Sequence, residues 1–304
     1  MLSLPCLREP DFTAGWQPEM FGSVKVKALT AEDQHEVLAF LAERSLHTIF
    51  MTGFIRDNGL VSPLNRGTFY ACRNEEGHLE GVSLIGHATL IETRSSRALE
   101  AFARLAREYS SAHVIMAEQE KVEDFWHNYS ETGQPPRVVC QELMFEQRWP
   151  VQVNETAHGL RQATLEDLDL VAPVQAEMAF EESGVNPLEK DPEGFRRRYA
   201  RRIEQGRVWV LVENERLIFK TDVISTTAEV TYLEGVYVNP QDRGQGYGLR
   251  CLSQLGRTLL TQTESIVVLV NQQNQKGIGL YRKAGYRLRG YYDTIFLGQK
   301  ESVY

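Results

Sequence analysis

Arg243-Gly244-Gln245-Gly246-Tyr247-Gly248 decides the reading of this 304-residue chain. The stretch follows a β-branched and aromatic run, Tyr232 to Val238, and an Asn239-Pro240 turn. It opens a helix-period pattern with Leu252, Leu255 and Leu259 on one face. A strand, a glycine loop and a helix in that order form an anion trap. Glycine lets the backbone approach a phosphate closely, and the N–H groups of a helix's first turn have no internal partner, so they point at whatever anion sits there. The expected ligand is a pyrophosphate. A P-loop would need Lys-Ser/Thr after the last glycine, where Leu249-Arg250 stands, and a dinucleotide fingerprint would need G-x-G-x-x-G with an acidic residue about 20 residues on. Neither spacing fits.

Past the helix, Ser265 to Val270 reads as a buried strand, followed by Asn271-Gln272-Gln273-Asn274 and then by Gly277-Ile278-Gly279-Leu280-Tyr281-Arg282-Lys283-Ala284-Gly285-Tyr286. Together the two stretches resemble the signatures of the GNAT N-acetyltransferase superfamily. Its acetyl-CoA loop, Gln/Arg-x-x-Gly-x-Gly/Ala, is met by Arg243, Gly246 and Gly248. Its second signature, Asn-x-x-Asn, a short helix and Leu-Tyr-x-Lys-x-Gly-Phe/Tyr, is met by residues 271–286 in the family's order and at its separation. The resemblance covers residues 158–304, with Gly277 where the family usually has Ala, an exchange expected to loosen that helix slightly. Phe219-Lys220-Thr221-Asp222 followed by Gly235 to Pro240 resembles a bacterial subgroup that carries an extra N-terminal domain.

The resemblance implies acetyl-CoA as co-substrate and a small-molecule or peptide primary amine as acceptor. It places the pyrophosphate on Arg243, Gly244, Gln245, Gly246, Tyr247 and Gly248, and the pantetheine arm along the backbone of Val236, Tyr237 and Val238, with Asn274 hydrogen-bonded to the same arm. Asn271 reads equally well as a strand-end turn former, and Lys283 equally as a contact to the nucleotide end of CoA or as a solvated side chain. Acetyl transfer requires an amine without its extra proton, and a lysine-like amine has a pKa of about 10.4, so a base must help at neutral pH. Glu234 is the candidate, on the strand entering the loop, sharing a face with Tyr232, Val236 and Val238 by alternation. Tyr281 stands at the family's general-acid position, and a phenol of pKa near 10 can protonate a leaving thiolate of pKa about 8.5. Met178 to Pro187 frames the acceptor side in this fold, with Glu181, Glu182 and Asp222 as candidate partners for an ammonium group.

Other chemistries fit poorly. All seven histidines precede the first strand of the 158–304 segment, which excludes a Ser-His-Asp or Cys-His nucleophile within it and leaves direct transfer in a ternary complex. The four cysteines, Cys6, Cys72, Cys140 and Cys251, are scattered without metal or disulfide spacing, so no metal is expected. With 42% hydrophobic and 24% charged residues, no long apolar run and no leader-like start over Met1 to Met20, a soluble cytoplasmic protein, monomer or homodimer, is expected, with no membrane partner. Residues 1–150 hold 14 Lys and Arg against 21 Asp and Glu, which argues against nucleic acid. The run Arg196-Arg197-Arg198 with Arg201-Arg202 reads as a solvated helix face.

The chain also reads as a repeat. Val26 to Asp33 reappears as Leu160 to Asp167, each ending in T-x-x-D, and two hairpins, a helix and an aromatic-glycine stretch recur in order. The fold expected is α/β (α+β): tandem GNAT folds, each a mixed, mostly antiparallel twisted sheet flanked by helices. The boundaries expected are an extension over 1–22, a degenerate copy over 23–148, a linker over 149–157 and a catalytic copy over 158–304. Where the second copy has its glycine loop, the first has Ile91-Glu92-Thr93-Arg94-Ser95-Ser96-Arg97, and it is expected to bind no CoA but to cover or shape the acceptor cleft. Rival readings are a non-catalytic acyl-CoA sensor or scaffold and a transferase using another acyl donor.

Overall fold

The computed structural model describes residues 26–153 and 155–298. The extension expected over 1–22, Cys6, Asn154 of the expected linker and residues 299–304 lie outside the described residues. The first half runs β1 (Val26–Ala28), α1 (Gln34–Ala42), α2 (Ser45–Asn58), β2 (Gly67–Arg73), β3 (Leu79–Gly86), β4 (Ala88–Thr93), α3 (Ser96–Ala106), β5 (Val114–Glu118), α4 (Gln119–Tyr129) and β6 (Pro136–Gln147). The second half repeats that order with one added helix. It runs β7 (Arg161–Gln162), α5 (Leu168–Ser183), α6 (Pro187–Lys190), α7 (Pro192–Glu204), β8 (Val208–Glu213), β9 (Arg216–Thr226), β10 (Val230–Val238), α8 (Tyr247–Leu259), β11 (Ser265–Asn271), α9 (Gln275–Lys283) and β12 (Arg287–Leu297).

Each half begins with the same local device. Asp33 accepts the Thr30 backbone N–H at 2.8 Å, and Asp167 accepts that of Thr164 at 2.8 Å, so both halves turn into their first helix through a capping box. The helix after the glycine loop buries Leu252, Leu255 and Leu259, the face its periodicity marks.

The strands form a single sheet ordered β1-β2-β3-β4-β5-β12-β6-β11-β10-β9-β8-β7, antiparallel except at β4–β5 and β10–β11. As expected, the architecture is a mixed, mostly antiparallel sheet flanked by helices. Its centre departs from two self-contained copies. β6 pairs with β11 from Glu142↔Asn271 to Ile266↔Gln147, and with β12 on its other side; β12 pairs in turn with β5 from Tyr292↔Glu118 to Phe296↔Val114. Each half therefore lends its last strand to the other. Phe145 of β6 is buried in the second half's core with Leu252, Leu255 and Tyr281, while Ile295 and Leu297 of β12 are buried in the first half's core with Phe102 and Phe125. Helix α2 crosses as well: Ile49 packs with Tyr232 and Val267, and Arg207 donates to both carboxylate oxygens of Asp57 at 2.6 Å.

Candidate active site

Strands β10 and β11 are paired from Val230↔Ser265 to Leu233↔Val268 and no further, so the sheet opens beside Glu234. A bulge sits at the same point. β10 pairs with β9 at Glu234↔Asp222 and resumes only at Tyr237↔Lys220, with Gly235 at φ +64°, a conformation that glycine adopts without strain. The bulge corrects the expected alternation: Tyr232 packs toward α2, but Val236 and Val238 pack into the α8 side of the core. Glu234 is thus left on a different face from the two valines. Its carboxylate has no hydrogen-bond partner among the described residues. Burial raises its pKa, against the attraction of Arg202 and with the repulsion of Asp222.

Asp222 does not reach out to the cleft as the sequence suggested. It is fully buried and spent, accepting from the Tyr199 hydroxyl at 3.0 Å and Arg202 Nη1 at 2.9 Å, with Lys220 Nζ at 3.2 Å. The reading of the basic run as a solvated helix face is corrected at one member, since Arg202 turns inward to Asp222, while Arg197, Arg198 and Arg201 are exposed. Burial pulls the Lys220 ammonium pKa down against the pull of Asp222, and a Cβ on Gly235 would lie 3.0 Å from its Nζ. Tyr281, on α9, is 7% exposed, stacks on Phe145 and meets Tyr286 edge-on, and burial pushes its phenol pKa up. On the acceptor side Glu181 is exposed. Glu182 is exposed as well, although the protein packed around it and the charges of Glu234 and Glu142 push its carboxyl up to about 8.

The glycine loop is built to leave donors free. Gly246 caps α8 at φ +81° and has no side chain to satisfy the first-turn N–H groups; Arg243, Gly244, Gln245 and Gly246 are exposed. Gly248 is buried and serves packing, since a Cβ there would come within 3.1 Å of Leu280 and 3.2 Å of Val238. Arg243 Nε donates to the Val238 carbonyl at 3.1 Å, and Tyr247 donates to Glu213 at 3.1 Å beneath the Arg250 guanidinium. The Asn274 side-chain oxygen caps α9 by accepting from Gly277 at 2.9 Å, which leaves only its amide N–H groups for a ligand. Asn271 accepts from Gln273 at 2.9 Å, the turn-former reading, and Lys283 is exposed.

The first half opens at the corresponding place, because β4 and β5 pair only from Ala88↔Val114 to Leu90↔Met116. There the donors are used and the gap is filled. Ser95 caps α3 by accepting from Ala98, and the Ser95 N–H is held by Thr93 at 3.0 Å. Arg44 bridges Glu92 at 3.0 Å and Glu118 at 2.6 Å, and Lys121 bridges the same pair at 2.8 Å each. Burial alone would raise Glu118, but hydrogen bonds from Arg44 and Lys121 hold it at about 2. Sequence reasoning missed these partners, and it also missed Tyr232 and Glu142 on the second half's cleft. Cys72, Cys140 and Cys251 are buried free thiols; among the described residues no group of side chains could hold a metal ion and no helix is long and apolar enough to cross a membrane.

Residues 222–295 match the model of the FR47-like protein family. A peptidyl-lysine N-acetyltransferase of Salmonella typhimurium is 29% identical over 68 residues, 22% of this chain and 44% of that protein, so the chain spans less than half of the curated relative it matches. Among solved structures, a GNAT-family acetyltransferase from Colwellia psychrerythraea superposes with a TM-score of 0.52 at 13% identity, over 90% of this chain and 100% of that one. A GCN5-related N-acetyltransferase from Sphaerobacter thermophilus gives 0.57 at 12% identity over 91% and 96%. A tandem GNAT protein from the clavulanic acid biosynthesis pathway gives 0.55 at 13% identity over 91% and 100%. These likenesses show that the chain has the fold of the GNAT acetyltransferases, with the FR47-like match confined to residues 222–295.

Proposed function

We propose that the second half transfers acetyl from acetyl-CoA directly to a primary amine, in a ternary complex, while the first half binds no CoA. The observation that carries this reading is the opening between β10 and β11, where an unpartnered carboxylate, Glu234, lies beside a loop with free N–H donors, with Tyr281 on α9, the helix that follows β11. Glu234, through a water, takes the proton from the acceptor ammonium. The amine nitrogen then bonds to the acetyl carbon, the carbon–sulfur bond breaks, Tyr281 protonates the departing thiolate, and the second proton shed by the nitrogen as it becomes an amide restores the phenol. Both environments suit these tasks. A carboxylate raised by burial is a stronger base near neutral pH, and a phenol raised by burial stays protonated and ready to donate.

Tyr281→Phe removes the donor and keeps the ring's packing on Phe145, so kcat should fall about 100-fold with acetyl-CoA affinity nearly unchanged in a calorimetric titration. Loss of affinity in place of rate would assign Tyr281 a packing role. Glu234→Gln should cost most at low pH, where the acceptor is most protonated, and recover as pH rises and the amine sheds its proton unaided. In the parent enzyme, kcat/KM should climb with pH through the raised pKa of Glu234, because the base works only when ionised. Full activity in both variants would leave an acyl-CoA-binding scaffold as the better account.

A further inference from the structure

Phe219-Lys220-Thr221-Asp222 of β9 takes no part in the reaction derived above, yet it carries a buried charged network directly beside Glu234. Phe219 enters the core under α8, and Thr221, on the same face of β9, donates from Oγ1 to the Glu234 carbonyl at 3.1 Å. Lys220 and Asp222 point to the opposite face and are fully buried. Asp222 accepts at Oδ1 from the Tyr199 hydroxyl at 3.0 Å, with Lys220 Nζ at 3.2 Å, and at Oδ2 from Arg202 Nη1 at 2.9 Å. Lys220 also donates to the Gln175 side-chain oxygen, and its Nζ lies 5.6 Å from the centre of the Tyr199 ring, which the Arg202 guanidinium meets at 5.7 Å. Each of these neighbours of Nζ is an acceptor or a π face. A neutral amine would find no donor there for its lone pair, so the group suits an ammonium.

Two cations thus share one carboxylate, and the network holds one positive charge more than it neutralises. Glu234 is the carboxylate next to it. It pairs with Asp222 across β9 and β10, which sets their Cβ atoms about 5 Å apart, and a Cβ on Gly235, the following residue, would lie 3.0 Å from Lys220 Nζ. The other titratable groups that act on or feel Glu234 are Tyr232 on β10, Glu182 on α5 and Glu142 on β6, none of them a cation. Burial raises Glu234 and Asp222 adds to the rise, while Arg202 and Lys220 pull it back.

The first half supplies an internal comparison. Ala88 opens the parallel pairing of β4 with β5 as Val230 opens that of β10 with β11, and at the same remove from each stands a glutamate, Glu92 and Glu234. The cross-strand neighbour of Glu92 is Val82, where β9 has Asp222. There the cations reach the carboxylate itself, Arg44 at 3.0 Å and Lys121 at 2.8 Å, and occupy its lone pairs. In the second half Asp222 takes those contacts. Glu234 is left with the field of two cations and a bond to neither.

We propose that Lys220, Asp222, Arg202 and Tyr199 are positioning residues for Glu234: their surplus positive charge keeps its half-buried carboxylate ionised, while Asp222 keeps both cations off its oxygens, so that it stays free to take a proton. This rests on the reading of Glu234 as the base. No bond is made or broken within the network.

The test follows the acid limb of kcat/KM in the full chain, with acetyl-CoA and whichever of butylamine and a lysine peptide turns over faster, in the parent, Arg202→Gln, Arg202→Lys and Asp222→Asn. The Arg202 side chain is 33% exposed and glutamine can still donate an amide N–H to Asp222, so Arg202→Gln loses the charge and keeps the contact. A full charge removed at this range moves a titration by about one unit. The signs differ between variants. With one cation fewer, ionised Glu234 is less favoured, so the limb moves to higher pH, a loss of about tenfold below the limb that recovers as pH rises. With the Asp222 charge gone the limb moves to lower pH, and Arg202→Lys stays with the parent. The Glu234 carboxyl resonance of protein labelled with 13C-glutamate, identified by its loss in Glu234→Gln, should titrate with the same shifts. A limb and a resonance that stay put, that move the same way in Arg202→Gln and Asp222→Asn, or a rate lost equally at every pH would overturn the proposal. If Asp222→Asn does not fold, the upward shift in Arg202→Gln and its rescue by Arg202→Lys decide alone. If neither amine is acetylated, or the limb persists in Glu234→Gln, the base reading fails, and the resonance still decides whether the network sets the charge of Glu234.

Discussion

A fragment of residues 158–304 should not fold as a monomer. It would keep β11 and β12 but lose β6 from between them, and with it the hydrogen-bond ladders on both sides. It would also lose Phe145 from the core around Leu252 and Tyr281, the Gln147 amide that donates to the Ala284 carbonyl at 2.5 Å, and Glu146, which accepts from Arg289 at 2.6 Å. Burying one Phe or Leu side chain is worth about 1.5–3 kcal/mol, and a domain's whole stability is about 5–15 kcal/mol. Removing a central strand with several such residues therefore exceeds what the remainder can spare, and two unpaired strand edges invite association. Circular dichroism and size-exclusion chromatography should report an unfolded or aggregated fragment, and co-expression with residues 1–157 should restore a folded pair. A monomeric 158–304 that melts cooperatively and binds acetyl-CoA would show that the exchange is dispensable.

Gly246→Glu should abolish acetyl-CoA binding. Gly246 sits at φ +81°, where a side chain costs about 1–2 kcal/mol, and a Cβ there would lie 3.0 Å from Arg250 Nη1. The added carboxylate would also face the phosphates across the free N–H groups of α8. Losing two charge-assisted hydrogen bonds at about 1.5–3 kcal/mol each corresponds to about 100-fold or more in affinity. Calorimetry on the parent should give one acetyl-CoA per chain, and substitutions between Thr93 and Arg97 should leave that value intact, since Ser95 and Thr93 already occupy the donors there. Two acetyl-CoA per chain, or unchanged binding in the variant, would put the site elsewhere.

What the sequence made legible was local. The glycine loop, the helix face of Leu252, Leu255 and Leu259, the Asn271-to-Tyr286 run and the paired Thr-Asp caps are each set within a few residues, so their patterns survive without tertiary knowledge. The exchange of β6 and β12 was not legible, because a strand's alternation states that one face is buried but not which strand lies alongside. The bulge at Gly235 escaped for a related reason: Leu233-Glu234-Gly235-Val236 alternates acceptably on paper, and only the pairing with β9 shows the slip. Arg202 looked like one more charge on a solvated helix because its partner, Asp222, is on another element. Glu142 was assigned to the other half, so nothing in its neighbourhood along the chain connected it with Glu182 and Glu234.

The lent strands also fix an order of events during synthesis. β6 leaves the ribosome long before β11 and β12, the two strands that flank it, and β5 gains its second neighbour only when β12 is made. The first half must therefore wait on the nascent chain with one edge of β5 and both edges of β6 unpaired and Phe145 uncovered, a state prone to association. Completion of the sheet depends on contacts between residues far apart in sequence, which makes folding slow relative to a self-contained domain of the same size. Expression yield should accordingly be more sensitive to chaperone supply and to truncation near Leu297 than the stability of the finished protein would suggest.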